Sequence, residues 1–124
     1  MALEWVRARC LFLPHVTEHV QWGADLVFKI GGKMFAVVVL EPAKVCLSFK
    51  TSPEEFVELT KGQGIIPAPY MARARWVALE TPDALTRPEL MRLIDDSYRL
   101  VFESLPKKTQ AELCKPNRKG RRVP

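Results

Sequence analysis

The sequence has little of several features that would assign it to a specialised class of protein. No apolar run approaches the about 20 residues that cross a bilayer. The opening MALEWVRARC lacks an apolar segment followed by a small-residue cleavage site. The three cysteines are odd in number and far apart, so they match neither a disulfide framework nor a zinc site. We therefore expect a cytoplasmic protein with no membrane segment and no cofactor.

Net positive charge is absent from most of the chain and concentrated at its end. The formal net charge is +5, but residues 1–106 carry 12 basic and 13 acidic residues. The last 18 residues carry seven basic residues and one acid, Glu112. Because this segment is also polar and broken by proline and glycine, we predict a single domain over 1–106 and a basic, flexible C-terminal tail over 107–124. The high pI is a property of that tail.

The first half of the chain predicts one helix followed by a meander of strands. Apolar residues recur at helical spacing over 2–13, and Pro14 ends that helix. The connector 15–23 has room for a short strand around 20–22. Residues 25–50 alternate apolar and polar side chains in three strands.

A two-residue turn at Gly31-Gly32 sets the expected register of the first hairpin, since both glycines tolerate positive φ. That register pairs Phe28 with Phe35 and Leu26 with Val37, so these large residues would share the face that the helices cover.

The third strand of the meander, 45–50, is expected to follow a three-residue turn at 42–44 that pairs Glu41 with Val45. The opposite face of the sheet would then also be apolar, which predicts that a loop, a chain terminus or a second copy covers it. The residues expected on that second face are Val27, Met34, Ala36, Val38, Leu40 and Cys46.

Two capping boxes mark the later helices: Ser52-Pro53-Glu54-Glu55 and Thr86-Arg87-Pro88-Glu89. The second box opens the longest helix, which runs to about Leu105 with an apolar stripe along one side. A strand is predicted over 73–80, between the two helices. Hairpin strands with flanking helices predict an α+β fold: an antiparallel sheet of four to five strands with helices packed on one face.

Three blocks of this sequence resemble the MmcQ/YjbR family: LPHVTEHVQWGADLVFKIGGKMFAVV, PAPYMARARW and LIDDSYRLVFESLPKK. The resemblance extends over residues 3–108. It implies a frataxin/CyaY-like two-layer sandwich and a family that is generally labelled as predicted DNA-binding. Many members carry Asn, Lys and His before the tryptophan of the second block, where this chain has Ala72, Arg73, Ala74 and Arg75. This departure disfavours an enzyme, because alanine has no reactive group and arginine stays protonated.

The stretch IIPAPYMARARW, residues 65–76, is the candidate nucleic-acid contact in the domain. On a strand, Arg73 and Arg75 would share one face and grip successive phosphates, while Trp76 or Tyr70 would stack on a base. The structural alternative is a stiff strand entry in which Trp76 packs as an anchor and Tyr70 caps the edge of the sheet. In the tail, the candidate phosphate contacts are Lys107, Lys108, Lys115, Arg118, Lys119, Arg121 and Arg122.

Other candidate sites are weaker. His15 and His19 are four residues apart, but Pro14 disfavours a helix there and no third ligand is evident, so we expect no metal. Asp95-Asp96 could be an acid site, but adjacent helical positions diverge, so we expect a solvated face or an ion pair of Asp95 with Arg92 or Arg99. The acidic ridge that frataxin-type iron binding needs is absent from the first helix.

The leading hypothesis is a non-enzymatic nucleic-acid-binding protein, with DNA as the expected ligand, that uses the cationic strand face and the basic tail. One alternative is a protein–protein interaction module that forms a homodimer through the second sheet face. The other is a small-ligand binder with a cleft near Tyr70 and Trp76.

Overall fold

The computed structural model describes residues 3–40, 43–69 and 71–114. Its helices and strands follow in the order α1 Glu4–Phe12, β1 Thr17–Gln21, β2 Asp25–Ile30, β3 Lys33–Val39, β4 Leu47–Lys50, α2 Pro53–Leu59, β5 Ile65–Pro67, a 3₁₀ turn Ala72–Ala74, β6 Trp76–Leu79, α3 Arg87–Ser104 and α4 Lys107–Cys114. No helix in these ranges is long and apolar enough to span a membrane.

The strands form one six-stranded sheet in the order β1-β2-β3-β4-β6-β5, and every neighbouring pair is antiparallel. All four α-helices contribute side chains to the core on one face of this sheet. The predicted α+β class and its one-sided layer of helices are therefore confirmed. The sheet is wider than predicted because residues 17–21 and 65–67 also pair as edge strands.

The main core lies between the sheet and the helices. Phe28, Phe35 and Phe49 are fully buried there, and the apolar stripe of α3 packs over them. Both predicted capping boxes are confirmed, since Ser52 Oγ accepts from the Glu55 amide and Thr86 Oγ1 accepts from the Glu89 amide. The predicted boundaries of α3 hold to within one residue.

The predicted register of the β2–β3 hairpin is wrong by one residue. The turn lies at the two glycines, with Ile30 paired to Lys33, but the register shifts after Lys29, so that Phe28 pairs with Ala36 and Leu26 with Val38. A β-bulge inserts one extra residue into one strand and moves every later side chain to the other face. The extra residue is Phe35, which keeps its ring in the main core.

Ser97 on α3 fills the gap that this irregularity leaves between β3 and β4. Its hydroxyl donates to the Phe35 carbonyl (2.6 Å) and accepts from the Lys50 amide (3.0 Å), and the residue is 0% exposed. A helix side chain thus replaces the backbone partners that regular pairing would supply. The polar residue in the apolar stripe of α3 has a structural task.

The bulge also corrects the expected faces of the sheet. Ala36 and Val38 lie in the main core, and Cys46 packs against it, so none of the three belongs to the second face. The Val39 amide bonds to the Cys46 carbonyl, which shifts β4 by one residue from the predicted pairing. The proposed partner Glu41 and the first turn residue, Pro42, lie outside the described residues.

The second face of the sheet is covered by the chain itself. Val27, Val37, Trp76 and Ala78 form a separate buried cluster, which Ala68 from the loop after β5 completes. Of the three covers that the sequence left open, the loop is the one observed within the described residues.

The basic segment from Lys107 begins with a helix. Lys107–Cys114 form the helix α4, and Leu113 packs against the main core. The side-chain Nε2 of Gln110 donates to the Glu103 and Leu105 carbonyls. The first eight residues of the predicted tail are therefore helical. The rest of the predicted tail, 115–124, lies outside the described residues.

Candidate nucleic-acid interface

The stretch 65–76 is a hairpin and its turn, rather than one strand with a stiff entry. Ile65–Pro67 pair with β6, and the chain reverses through the 3₁₀ turn Ala72–Ala74 before β6 begins at Trp76. Arg73 and Arg75 therefore lie in the turn and do not share a strand face, which corrects the predicted arrangement. Both side chains are exposed.

The backbone at Arg75 is held in a left-handed conformation, with φ 66° and ψ 35°. Its carbonyl accepts two hydrogen bonds from Thr51, one from the amide and one from Oγ1, both at 2.8 Å. Its amide bonds to the Ala72 carbonyl, and its guanidinium lies over the Phe56 ring at 5.9 Å. These contacts hold the loop against Thr51, the residue that follows β4, and they place the Arg75 cation there.

Trp76 does not reach the surface. It is 4% exposed and packs in the second-face cluster, so the structural alternative is the observed one and stacking on a base is excluded in this conformation. The other proposed stacking residue, Tyr70, lies outside the described residues.

Two lysines that the sequence did not single out lie beside the arginines. Lys50 is the last residue of β4, pairs with Trp76, and donates from Nζ to the Ala74 carbonyl at 2.8 Å. Lys33 is the first residue of the neighbouring strand β3. Burial, together with the positive charges of Arg75 and Lys33, lowers the pKa of the Lys50 ammonium. Strand pairing thus places Lys33, Lys50 and Arg75 at one end of the sheet.

We call Lys33, Lys50, Arg73 and Arg75 the cationic end of the sheet. No ion pair between described residues involves any of the four. An uncompensated cluster of this kind raises the local concentration of anions.

Most other arginines of the described chain are neutralised by carboxylates. Arg7 forms a two-bond pair with Glu18 at 2.9 and 2.8 Å, and Arg9 pairs in the same way with Asp95. Arg92 and Arg99 both contact Asp96. The expected pairing of Asp95 with Arg92 or Arg99 is therefore wrong, since Asp95 pairs with Arg9 of α1 and the two other arginines contact Asp96.

The lysines at the start of α4 lie near the same end of the sheet. Leu105 contacts Gly31 in the β2–β3 turn, closely enough that a Cβ there would come within 2.6 Å of Leu105 Cδ1. Lys107 and Lys108 follow two and three residues later and are exposed. The remaining tail candidates, Lys115, Arg118, Lys119, Arg121 and Arg122, lie outside the described residues.

The described residues offer no metal cluster of three or more His, Cys, Asp or Glu side chains. His19 Nε2 lies 3.1 Å from Thr17 Oγ1, which gives that ring a local partner. Burial raises the pKa of the Cys10 thiol to about 12. At neutral pH this thiol is protonated and a poor nucleophile.

The positions of Lys33 and Lys50 in the sequence indicate that they could lie close together, although predicting the strands alone does not show it. Each is a lysine at the terminus of a predicted strand, one just after the Gly31-Gly32 turn and one just before the Ser52 cap. In an antiparallel sheet, the first residue of one strand lies at the same end of the sheet as the last residue of its neighbour. Lys33 and Lys50 are such a pair. Their proximity to Arg75 depended on the 65–76 hairpin, which was not predicted.

Comparison with known proteins gives consistent matches. A family model described as YjbR matches residues 11–100. The uncharacterized protein YbdF of Escherichia coli O157:H7 is 29% identical over 111 residues, which cover 86% of this chain and 89% of that protein. The crystal structure of Deinococcus radiodurans protein DR2400, a DUF419 family-model domain, has a TM-score of 0.79 at 29% identity, covering 90% of this chain and 86% of that chain. A Pseudomonas syringae protein, structural genomics target PsR293, has a TM-score of 0.56 at 26% identity, covering 68% and 86%.

Proposed function

The chain belongs to the YjbR family, and from that premise we propose that it is a non-enzymatic, cytoplasmic nucleic-acid-binding protein with DNA as its ligand. The single observation that carries the proposal is the cationic end, where Lys33, Lys50, Arg73 and Arg75 lie together without carboxylate partners among the described residues. Phosphate contacts by lysine and arginine supply most of the affinity of sequence-independent nucleic-acid binding.

The cationic end changes the mechanism that the sequence suggested. Trp76 is buried, so affinity rests on charge and hydrogen bonding to phosphates, without base stacking by that residue. Arg75 presents a guanidinium that can bind a phosphate through two parallel bonds, and Lys50 keeps two ammonium protons beyond its bond to Ala74. Base readout would need a recognition element in a groove, and the cationic end is made of strand termini and a turn. Binding is therefore expected to have little sequence preference.

The test distinguishes the contribution of the domain to binding from that of the tail, with substitutions made in the whole chain. A tail-neutral variant carries glutamine at Lys115, Arg118, Lys119, Arg121 and Arg122 and keeps α4 intact. Anisotropy of a labelled duplex of about two helical turns is then measured at low salt for this variant. The measurement is repeated after adding Lys50→Met and Arg75→Gln.

The expected result is that the tail-neutral variant still binds and that the double substitution weakens binding by about 10–100-fold. Lys44→Met with Arg87→Gln is the matched control, since it removes the same charge from exposed or partly exposed sites outside the cationic end. Loss of all binding in the tail-neutral variant would show that the tail acts as a generic polycation and that the domain has another role.

A second candidate function is a protein–protein contact, because exposed apolar residues lie at the opposite end of the sheet. Val20 and Trp22 are 62% and 65% exposed, and Leu40 is 42% exposed beside the backbone bond that joins it to Ala24. Val27, Val37 and Ala78 of the second sheet face are already buried by this chain, so we propose the contact at the opposite end of the sheet instead. Light scattering of the full chain and of Trp22→Asn tests whether self-association uses this region instead.

A further inference from the structure

The shape of the cationic end restricts the kind of phosphate that it can bind, which deepens the proposed function and rests on it. Lys33, Lys50 and Arg75 lie at the termini of β3, β4 and β6, which are consecutive strands of the sheet. Neighbouring strands are about 4.8 Å apart, so three strand ends span about 10 Å. These three strand ends therefore form a compact cluster.

Charge is concentrated at the centre of this cluster. Lys50 is partly buried between Lys33 on one side and Arg75 on the other, and its ammonium is anchored to the Ala74 carbonyl. Burial, followed by the positive charges of Arg75 and Lys33, lowers the pKa of that amine. An anion bound between them relieves this repulsion, and the relief grows with the charge of the anion.

The carbonyl groups of the loop beside the cluster all accept hydrogen bonds. The Ala74 carbonyl is bonded to Lys50, the Arg75 carbonyl to Thr51, and the Arg73 carbonyl to the Arg75 guanidinium at 3.3 Å. Three backbone oxygens that would otherwise repel a phosphate are thus engaged. The Phe56 ring beneath Arg75 limits where the guanidinium can lie.

We infer that the cationic end is a site for a terminal phosphate monoester, the phosphorylated end of a nucleic-acid strand. A phosphate diester inside a strand carries one negative charge, whereas a terminal monoester carries about 1.5–2 near neutral pH. A strand end can also enter a compact cluster without the steric hindrance of a continuing backbone. The site therefore binds a strand terminus more tightly than the interior of the same strand.

The test compares two otherwise identical single strands, labelled at the 3′ end and carrying either a 5′-phosphate or a 5′-hydroxyl. Anisotropy is measured for the full chain, for Lys50→Met and for Lys44→Met. Methionine keeps the length of the side chain, and Lys44 lies in the loop before β4, at the other end of that strand. Thermal melting checks that each variant is folded.

The expected result is about tenfold tighter binding of the 5′-phosphate strand by the full chain and by Lys44→Met. In Lys50→Met the two strands are expected to bind equally. Equal affinity of the full chain for both strands, with Lys50→Met weaker for each, would overturn the inference while the proposed function stands. If the full chain binds neither strand nor the duplex, the inference and the proposed function fail together.

Discussion

The two ends of the sheet expose different kinds of side chain, basic residues without carboxylate partners at one end and apolar residues at the other. At the cationic end, four basic residues have no carboxylate partner in the described chain, yet the backbone beneath them is tied together by Ser97, Thr51 and Lys50. At the opposite end, which we call the apolar end, Val20, Trp22 and Leu40 are exposed beside turns. Uncompensated charge on a well-bonded framework is expected of a binding site, because the framework holds the charges in place before the ligand arrives.

The polar residues of α3 contrast with the arginines of the cationic end, because they have partners within the chain. Within the block Asp95–Tyr98, every polar side chain has a partner: Asp95 bonds Arg9, Asp96 bonds two arginines, Ser97 bridges two strands, and the Tyr98 hydroxyl donates to the Pro14 carbonyl. That block is structural. Polar residues become candidates for function where their charges remain uncompensated, as they do at Arg73 and Arg75.

The largest expected loss of stability follows from removing the Ser97 hydroxyl, which bonds the backbone beneath the cationic end. Ser97→Ala leaves the Phe35 carbonyl and the Lys50 amide without their helix partner, and both lie in or beside the core. Chemical denaturation should show a loss of about 2–3 kcal/mol in the free energy of unfolding.

Ser104→Ala is the matched control on the same helix. Its hydroxyl donates only to the Val101 carbonyl within α3, at an exposed position. The expected loss is below about 0.5 kcal/mol. Equal losses in the two variants would contradict the bridging role of Ser97.

The next effect separates the backbone at Arg75 from its charge. Arg75 lies at φ 66°, where glycine is free of the steric cost that any other residue has. Arg75→Gly should therefore be more stable than Arg75→Ala by about 0.5–1 kcal/mol, while both variants weaken nucleic-acid binding to the same extent. Thermal and chemical unfolding measure the first difference, and anisotropy measures the second.

Arg73 supplies the control, because it lies in the 3₁₀ turn without a positive φ. There the order should reverse, with Arg73→Ala more stable than Arg73→Gly. The same order at both positions would show that Arg75 is not held in the left-handed conformation in solution.

The smallest effect is expected at the apolar end. Val20→Thr and Trp22→Asn change exposed side chains, and asparagine tolerates the positive φ of 52° at position 22. Unfolding free energies should stay within about 0.5 kcal/mol of the parent chain. Nucleic-acid affinity should be unchanged. A drop in affinity for either variant would place the ligand at the apolar end, which contradicts binding at the cationic end.

The helices, their caps and the α+β class could be predicted because local signals set them: Ser52 and Thr86 cap where the capping boxes predict, and the stripe of α3 is buried as its spacing indicates. The register could not, because the Phe35 carbonyl at the bulge bonds to Ser97, a partner 62 residues away that no local pattern indicates. The site was predicted only in part for the same reason. Arg73 and Arg75 were identified as exposed cations, but their neighbours Lys33 and Lys50 come from other strands that only the completed sheet brings together.

The most direct test of the central claim is a map of backbone amide chemical shifts during titration of the full chain with the duplex. The account predicts that the shifts concentrate at the cationic end: Lys33, Lys50, Thr51 and the turn from Ala72 to Arg75. It predicts no change at Val20, Trp22 or Leu40. Shifts at the apolar end, or shifts confined to residues after Cys114, would contradict the claim that the cationic end of the folded domain binds nucleic acid.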